Sequence, residues 1–145
     1  MRDTIQSLWI GEQLGVMQQV SLASFLAQGH PVHLYAYEPP RGVPEQVEVK
    51  NAEEILPAGD VFSYQQGFGR GSPAAFSNWF RYKLLFERGG WWADLDMVCL
   101  RPIEFDAEHV MGFERVREGG LRVGSALLRA PPGSAGGKGR ERRDS

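Results

Sequence analysis

The hydrophobic pattern at the start of the chain predicts a strand, a helix and a second strand. The apolar run Ile5–Ile10 is typical of a short buried strand, and Glu12–Gln28 follows with apolar residues at three-residue steps. Gly29 and Pro31 end this helix, and Val32–Tyr37 is rich in residues that favour strands. The face that we expect the helix to bury carries Leu14, Met17, Val20 and Ala23. A parallel pair of strands joined by the helix is therefore predicted.

Shorter elements are predicted in the next part of the chain. Gln46–Val49 is a weak extended segment, and Asn51 can cap a short helix that stops before Pro57. Tyr64–Gly71 has alternating glycines and neither a helical nor a strand period, which indicates a loop.

The clearest helix and strand signals then follow one another directly. Ser72-Pro73 is typical of a helix start and Gly89-Gly90 of a helix end, so a helix is predicted over Pro73–Arg88. The apolar segment Trp91–Leu100 predicts a strand that leaves the end of this helix. The remaining predicted strands are His109–Phe113 and Ser125–Arg129.

Helices that alternate with strands predict one three-layer α/β domain with a mainly parallel central sheet. A chain of 145 residues, 42% of them hydrophobic, can bury one core. We place the domain at residues 1–129. Residues 130–145 contain no apolar side chain larger than alanine or proline and predict a disordered tail. The abrupt change after a strand-like run suggests a longer domain that is incomplete at its C-terminus.

Composition and charge exclude several classes of partner. A net charge of -2 gives no basic footprint for a nucleic acid. The lone Cys99 has no disulfide partner within the chain, which favours a reducing compartment. No long apolar segment of secretory or membrane-spanning type is present in the sequence, so a cytoplasmic protein without a membrane span is predicted.

Asp94 and Asp96 carry the sharpest chemical hypothesis. On a strand, alternate residues project to the same face, so both carboxylates are expected to point at one site. Carboxylate oxygens suit Mg²⁺ and Mn²⁺, which often complete their coordination with substrate phosphate oxygens. A metal there would stabilise the charge of a departing diphosphate. The alternative is a pair of acidic residues that simply face solvent at a strand end.

The preceding helix and the tryptophans extend this hypothesis. Asn78 and Arg81 share one helix face, where an amide suits sugar hydroxyls and a guanidinium suits phosphate. Arg81 could equally pair with Glu87 or another surface carboxylate. Trp9, near the end of the first strand, could stack on a nucleobase. Trp91 and Trp92 alternate, so one should enter the core while the other approaches the carboxylates. The alternative is that all three tryptophans are core residues.

These motifs together resemble one family. The resemblance is to sugar-binding-region glycosyltransferases containing the DXD motif, a group that includes capsular-polysaccharide, mannosyl and galactosyl transferases. It extends over about Ile5–Pro102, and the block Phe76–Asp96 is its specific part. The motifs that carry it are Trp9-Ile10-Gly11, Ser77-Asn78, Arg81-Tyr82 and Gly89-Gly90-Trp91-Trp92-Ala93-Asp94-Leu95-Asp96.

The resemblance implies a nucleotide-diphospho-sugar transferase fold of the GT-A type, a UDP- or GDP-hexose donor, Mn²⁺ or Mg²⁺, and retention of anomeric configuration. By position, Trp9 would stack on the base, Arg81 would contact the donor sugar or its phosphates, and Trp92 would lie near the diphosphate. Asp94 and Asp96 would hold ribose and metal, with Asp96 the better candidate for direct metal contact. No residue is assigned as a catalytic base or nucleophile.

The chain departs from the family pattern at two places. Asn78 stands where the family usually has an aspartate that binds donor sugar hydroxyls, and an amide lacks the charge and part of the acceptor capacity. The family's domain also continues well beyond Ser145, and its later part supplies further metal ligands and acceptor contacts.

The sequence therefore predicts a metal-dependent glycosyltransferase that moves a hexose from a nucleotide diphosphate sugar to a hydroxyl acceptor, such as a glycan. One alternative is a catalytically inactive, truncated protein that still binds the nucleotide sugar. Another is a Mg²⁺-dependent phosphohydrolase of the haloacid-dehalogenase type, because Asp94-Leu95-Asp96 also mimics its aspartyl nucleophile motif. That family places the motif on its opening strand, whereas here it lies late in the chain.

Overall fold

A computed structural model describes residues 2–60, 73–115 and 121–133 of the chain. These residues form one six-stranded sheet in the order β3-β2-β1-β4-β6-β5. The strands are β1 Ile5–Trp9, β2 Val32–Ala36, β3 Glu48–Asn51, β4 Gly90–Ala93, β5 Val110–Arg115 and β6 Leu121–Ala130. The helices are α1 Val16–Ala27 and α2 Pro73–Arg88, with a short 3-10 turn at Ala52–Glu54.

The sheet is mainly parallel, as the sequence predicts. β1 pairs in parallel with β2 and β4, and β2 pairs in parallel with β3. β6 runs antiparallel to both of its neighbours, β4 and β5. Because β5 is antiparallel to β6, it runs in the same direction as β1 to β4. Five strands of the sheet therefore share one direction, and β6 runs opposite to them.

Helices cover the two faces of this sheet and create two cores. One core joins residues of α1 to Trp91, and the other joins residues of α2 to Trp92. Consecutive residues of a strand project to opposite faces, so α1 and α2 lie on opposite sides of β4. The predicted three-layer arrangement is thus confirmed.

The predicted helix over Pro73–Arg88 is confirmed at both ends, but the predicted strand Trp91–Leu100 is wrong beyond Ala93. The Asp94 amide still donates to the Ala126 carbonyl at 2.8 Å, and the chain then turns at Leu95–Asp96. Aspartate favours turns because its side chain can bond to nearby backbone. The two carboxylates therefore come together in a turn, not on one face of a strand.

The buried face of α1 also differs from the prediction. The helix begins at Val16 rather than Glu12, and its buried residues are Ser21, Leu22 and Phe25. Met17 and Val20 are 60% and 49% exposed, Ala23 is exposed, and Leu14 is buried ahead of the helix. A three-residue step drifts around a helix that repeats every 3.6 residues, so such spacing does not fix one face. The face set by positions 21, 22 and 25 is the one that meets the sheet.

The smaller predicted elements have mixed outcomes. Asn51 caps the turn that follows it, its side-chain oxygen accepting from the Glu53 amide at 3.0 Å. The boundary predicted at residue 130 falls inside β6, and the Gly133 amide donates to the Phe86 carbonyl at 2.7 Å. The predicted loop Tyr64–Gly71, the cap at Ser72 and residues 134–145 of the predicted tail lie outside the described residues.

Gly89 ends α2 and delivers the chain into β4. Its φ is +70°, and its amide donates to the Leu85 carbonyl at 2.8 Å. A Cβ added there would lie 2.5 Å from the ring of Pro132, whereas one added to Gly133, at φ +67°, would meet nothing within 4 Å. Both glycines adopt the left-handed conformation that other residues rarely take.

We expect Gly89→Ala to lower the free energy of unfolding by about 2 kcal/mol, because backbone strain adds to a clash that must displace β6's end. Gly133→Ala keeps the strain without the clash and should cost about 1 kcal/mol. Urea denaturation of both variants checks this difference. Equal losses would mean that Pro132 does not pack against the start of β4.

Candidate functional site

The candidate site lies at the carboxyl end of the parallel strands. Trp9 is the last residue of β1, and Asp94 directly follows Ala93, the last residue of the neighbouring β4. Ser7 ties the two strands together, since its hydroxyl donates to the Ala93 carbonyl. Crevices at this end of open α/β sheets are where ligands bind.

One oxygen of Asp94 is held by two neighbouring side chains. The indole Nε1 of Trp92 donates to Asp94 Oδ1 at 2.9 Å, and the Arg81 Nη2 atom lies 3.1 Å from the same oxygen in an ion pair. The Asp94 side chain is 30% exposed, so this carboxylate sits at the boundary between the core and solvent. The contact joins α2 to the end of β4.

Arg81 is an internal guanidinium with contacts on several sides. Its side chain is only 6% exposed. Its Nη2 lies 3.2 Å from Ser77 Oγ, and its Nε donates to the Ser77 carbonyl at 3.4 Å. The Cζ atom of the guanidinium lies 5.0 Å from the centre of the Trp92 ring. The ion pair of Arg81 with Glu87 that the sequence left open is not the one described: Arg81 pairs with Asp94, and Glu87 pairs with Lys83 at 2.6 Å.

The charges of this cluster influence one another. Burial is the main cause that raises the pKa of Asp94; the Trp92 hydrogen bond and the Arg81 charge oppose it, and the charge of Asp96 adds to it. Burial also lowers the pKa of Arg81, against the charges of Asp94 and Asp96. Asp96 is therefore near enough to act on both groups, although it is itself exposed in the turn. A cation bound between the carboxylates would relieve their repulsion.

Trp92 and Trp91 enter opposite cores, and both are 1% exposed. The sequence predicted that one would be core and the other would approach the carboxylates. Trp92 meets both expectations, because its ring is buried in the core while its indole N–H donates to Asp94. A ring so buried offers no face for a ligand to stack on.

Asn78 and Trp9 flank the cluster without a described contact to Asp94. Asn78 is exposed, one helical turn before Arg81 on α2. Trp9 is half-buried against the α1 core, and its Nε1 donates to the Gln13 carbonyl at 3.2 Å. The structure therefore brings Arg81, Trp92 and Asp94 together, and it leaves Trp9 at the same sheet edge on the α1 side.

One residue that supports the site was given no role of its own in the sequence analysis. Ser77 holds the guanidinium of Arg81 through both its carbonyl and its hydroxyl. The signal was present, since the two residues are four apart on one helix and such residues face each other. The sequence named Ser77 only within the motif Ser77-Asn78, because a serine within a helix carries no special chemistry by itself.

The carboxylate oxygens at this site suit a hard cation whose coordination is completed by oxygen atoms of the substrate. Within residues 2–60, 73–115 and 121–133, no group of three or more His, Cys, Asp or Glu side chains could hold a metal. Two carboxylates, Asp94 and Asp96, are what the described chain offers, and Mg²⁺ or Mn²⁺ commonly uses one or two carboxylates together with substrate phosphates. The oxygen chemistry therefore fits such an ion when the phosphates of a donor complete its shell.

The buried titratable groups elsewhere have structural roles. His30 accepts from the Ile103 amide at Nε2 and lies 2.8 Å from the Asp3 carbonyl at Nδ1, so it donates there as the neutral tautomer. Burial raises the pKa of the Cys99 thiol.

In the described part of the chain, no helix has the length and apolar character needed to cross a membrane.

Comparisons with known proteins identify a family for the sequence and a similar fold for the structure. Residues 42–116, about half of the chain, match the sequence model of the glycosyltransferase sugar-binding region containing the DXD motif. A search of curated protein sequences finds no match. The solved structure of PaToxG glycosyltransferase is similar in fold, with a TM-score of 0.62 at 12% identity.

That similarity covers 99% of this chain and 62% of the PaToxG chain, so the present chain spans less than two thirds of that protein's length. The GT-A-like α/β fold implied by the sequence is consistent with this structural neighbour. The residues that meet around Asp94 all fall within the matched range. The chain thus belongs to the family of glycosyltransferase sugar-binding regions containing the DXD motif.

Proposed function

We propose that this chain binds a nucleotide diphosphate sugar with Mn²⁺ or Mg²⁺ at the edge formed by β1, β4 and α2. It transfers the hexose to a hydroxyl acceptor with retention of configuration. The observation that carries this proposal is the pairing of a fixed carboxylate, Asp94, with an exposed one, Asp96, at the carboxyl end of a parallel sheet. The exposed position lets Asp96 reach a solvated ion, while Asp94 offers a rigid second acceptor.

The residue roles follow from exposure and chemistry. Asp96 binds the metal directly, and Asp94 contributes to the metal and to the donor ribose. Asn78, which is exposed on α2, donates to and accepts from the sugar hydroxyls. Trp9 has its indole N–H engaged by Gln13, so its role is to present the ring face to the base. Arg81 and Trp92 support the donor site by holding the carboxylate of Asp94 in place.

In the reaction, the bond between the anomeric carbon and the diphosphate oxygen breaks, and a bond from that carbon to the acceptor oxygen forms. The acceptor hydroxyl gives its proton to the departing nucleoside diphosphate, which leaves with the electron pair of the broken bond. Asp94 and Asp96 would hold a divalent ion, and that ion would supply charge stabilisation for the diphosphate. Asn78 orients the sugar.

A nucleotide-sugar-binding protein without turnover is the second candidate. One observation favours it, the amide of Asn78 where the family usually has a carboxylate. The phosphohydrolase hypothesis has less support, because Asp94 follows the fourth strand and both Arg81 and Trp92 engage its Oδ1. Such contacts lower the nucleophilicity that an aspartyl nucleophile needs.

The experiment that tests the proposal is a screen of UDP- and GDP-hexoses with and without Mn²⁺. We expect calorimetry to detect binding of at least one donor only when Mn²⁺ or Mg²⁺ is present, and chromatography to detect release of the nucleoside diphosphate from that donor. Metal-dependent binding without release would favour the second candidate. Release of phosphate from simple phosphate esters, lost in Asp94→Asn, would instead support the phosphohydrolase.

The cellular setting is proposed on the same terms. The lone Cys99 favours a reducing compartment, and we keep the cytoplasm as the location where a sugar nucleotide and a glycan acceptor would meet.

A further inference from the structure

The described part of the chain contains two clusters that each join a tryptophan, an aspartate and an arginine. In the first, Trp92 and Arg81 both contact Oδ1 of Asp94, at 2.9 and 3.1 Å. The second cluster uses Trp91, whose Nε1 donates to Asp3 Oδ2 at 3.1 Å, and Arg129, whose Nη2 lies 3.6 Å from that oxygen and whose guanidinium lies 5.5 Å from the Trp91 ring centre. The two clusters lie on opposite faces of β4 and at opposite ends of β1.

The clusters have the same chemistry, but only one of them touches the DXD motif. Asp3 precedes β1 at the amino edge of the parallel strands, whereas Asp94 follows β4 at the carboxyl edge. The second cluster therefore serves as a control for a Trp–Asp–Arg contact away from the DXD motif. The effect on ligand binding of a substitution in the first cluster can be compared with the effect of the same substitution in the second.

We propose that Trp92 and Arg81 are positioning residues, which hold Oδ1 of Asp94 so that Oδ2 is the oxygen offered to the ligand. This inference rests on the proposed function, and it assigns Arg81 to Asp94 instead of to the donor. Among residues 2–60, 73–115 and 121–133, none donates a hydrogen bond to Oδ2. Two donors on one oxygen fix the rotation of the carboxylate, and Ser77 in turn fixes Arg81.

The same contacts predict how the site responds to an amide. In Asp94→Asn, the side-chain oxygen would face the two donors, Trp92 and Arg81, and the NH₂ group would take the place of Oδ2. The ligand-facing acceptor would become a donor, which neither a metal nor a ribose hydroxyl proton can use. Asp96 has no such fixed orientation in its exposed turn, so Asp96→Asn can still turn its oxygen toward a ligand.

The test compares Trp92→Phe with Trp91→Phe in the full chain. Each variant keeps a buried ring and removes one indole N–H bonded to a carboxylate. We expect both to show a lowered melting temperature, while the affinity for UDP or GDP with Mn²⁺, measured by calorimetry, falls about tenfold in Trp92→Phe and less than twofold in Trp91→Phe. Arg81→Lys, which keeps the charge but not the planar fork, should also bind the nucleotide about tenfold more weakly.

Equal nucleotide affinities for Trp92→Phe and the unaltered chain would overturn the positioning role, since the lost N–H would then matter for folding only. If Trp92→Phe does not fold, the comparison passes to Arg81→Lys. A loss of UDP or GDP affinity in Arg81→Lys supports the fixed oxygen, and an unchanged affinity overturns it. An unaltered chain that binds neither nucleotide refutes the proposed function itself, which is a separate outcome.

Discussion

Replacing Asp96 with alanine is expected to abolish metal-dependent donor binding at micromolar concentrations and to lower any transfer rate by about 10²–10³-fold. The exposed carboxylate is the group that we place in direct contact with the ion, and the ion carries the stabilisation of the departing diphosphate. Calorimetric titration of the donor in Mn²⁺ measures the first effect. Release of nucleoside diphosphate over time measures the second.

The fold should not change in this variant, because substitution of an exposed side chain away from structural contacts alters stability by less than about 0.5 kcal/mol. Asp106→Ala is the matched control, since Asp106 is also an exposed aspartate in an irregular segment after β4. It should bind the donor as the unaltered chain does. Metal-dependent binding that survives Asp96→Ala would refute the metal assignment.

The second large effect concerns stability. Arg81→Ala should lower the free energy of unfolding by about 3 kcal/mol, because it removes the charge that compensates the half-buried carboxylate of Asp94. It also empties the space beside Trp92 and leaves the Ser77 hydroxyl without this partner. Urea denaturation measures the loss.

A control arginine lies on the same helix. Arg88 pairs with Glu54 at 3.0 Å, but its side chain is 39% exposed, so Arg88→Ala should cost no more than about 1 kcal/mol. The double variant Arg81→Ala/Asp94→Asn should recover part of the loss, because the uncompensated charge is then gone. Similar costs for Arg81→Ala and Arg88→Ala would contradict the assignment of Arg81 as an internal ion-pair partner.

The accuracy of the sequence predictions follows the strength of the local signals. The helix Pro73–Arg88 was predicted with its observed ends because Pro73 and Gly89 have backbone requirements that few other positions satisfy. The end of β4 was missed, since the apolar residues continue to Leu100 while the chain turns at Leu95–Asp96. Of these residues, Leu95 and Cys99 are buried in the core beside α1, whereas Val98 and Leu100 are 54% and 84% exposed, so the apolar run marks neither one buried face nor strand pairing.

The helix α1 shows the same limit in another way. Its apolar residues occur on two sides, with Leu22 and Phe25 buried while Val16 and Met17 are 77% and 60% exposed. A helix with no charged residue gives no charged face from which to predict its orientation, and one of its serines, Ser21, is itself buried. Only the packing of the helix on the sheet decides which side is buried.

At the site, the sequence predicted the participating residues but not how they are joined. Arg81 and Asp94 are in different elements, and their contact depends on how α2 lies on the sheet. The hydrogen bond from Trp92 to Asp94 could have been predicted from strand geometry, because residues two apart on a strand share a face and the Asp94 amide still pairs with β6. Strand geometry does not apply to Asp96, which lies in the turn that follows.

The central claim is that a metal and a donor bind at the Asp94 end of β4. Paramagnetic broadening of the tryptophan indole N–H signals by substoichiometric Mn²⁺ with UDP or GDP tests it most directly. The Trp92 signal should disappear first, because that N–H bonds to Asp94, and the Trp91 signal, whose N–H bonds to Asp3 at the other end of the sheet, should persist longer. Asp96→Ala should abolish this order. Equal broadening of both signals, or earlier loss of the Trp91 signal, would contradict the account.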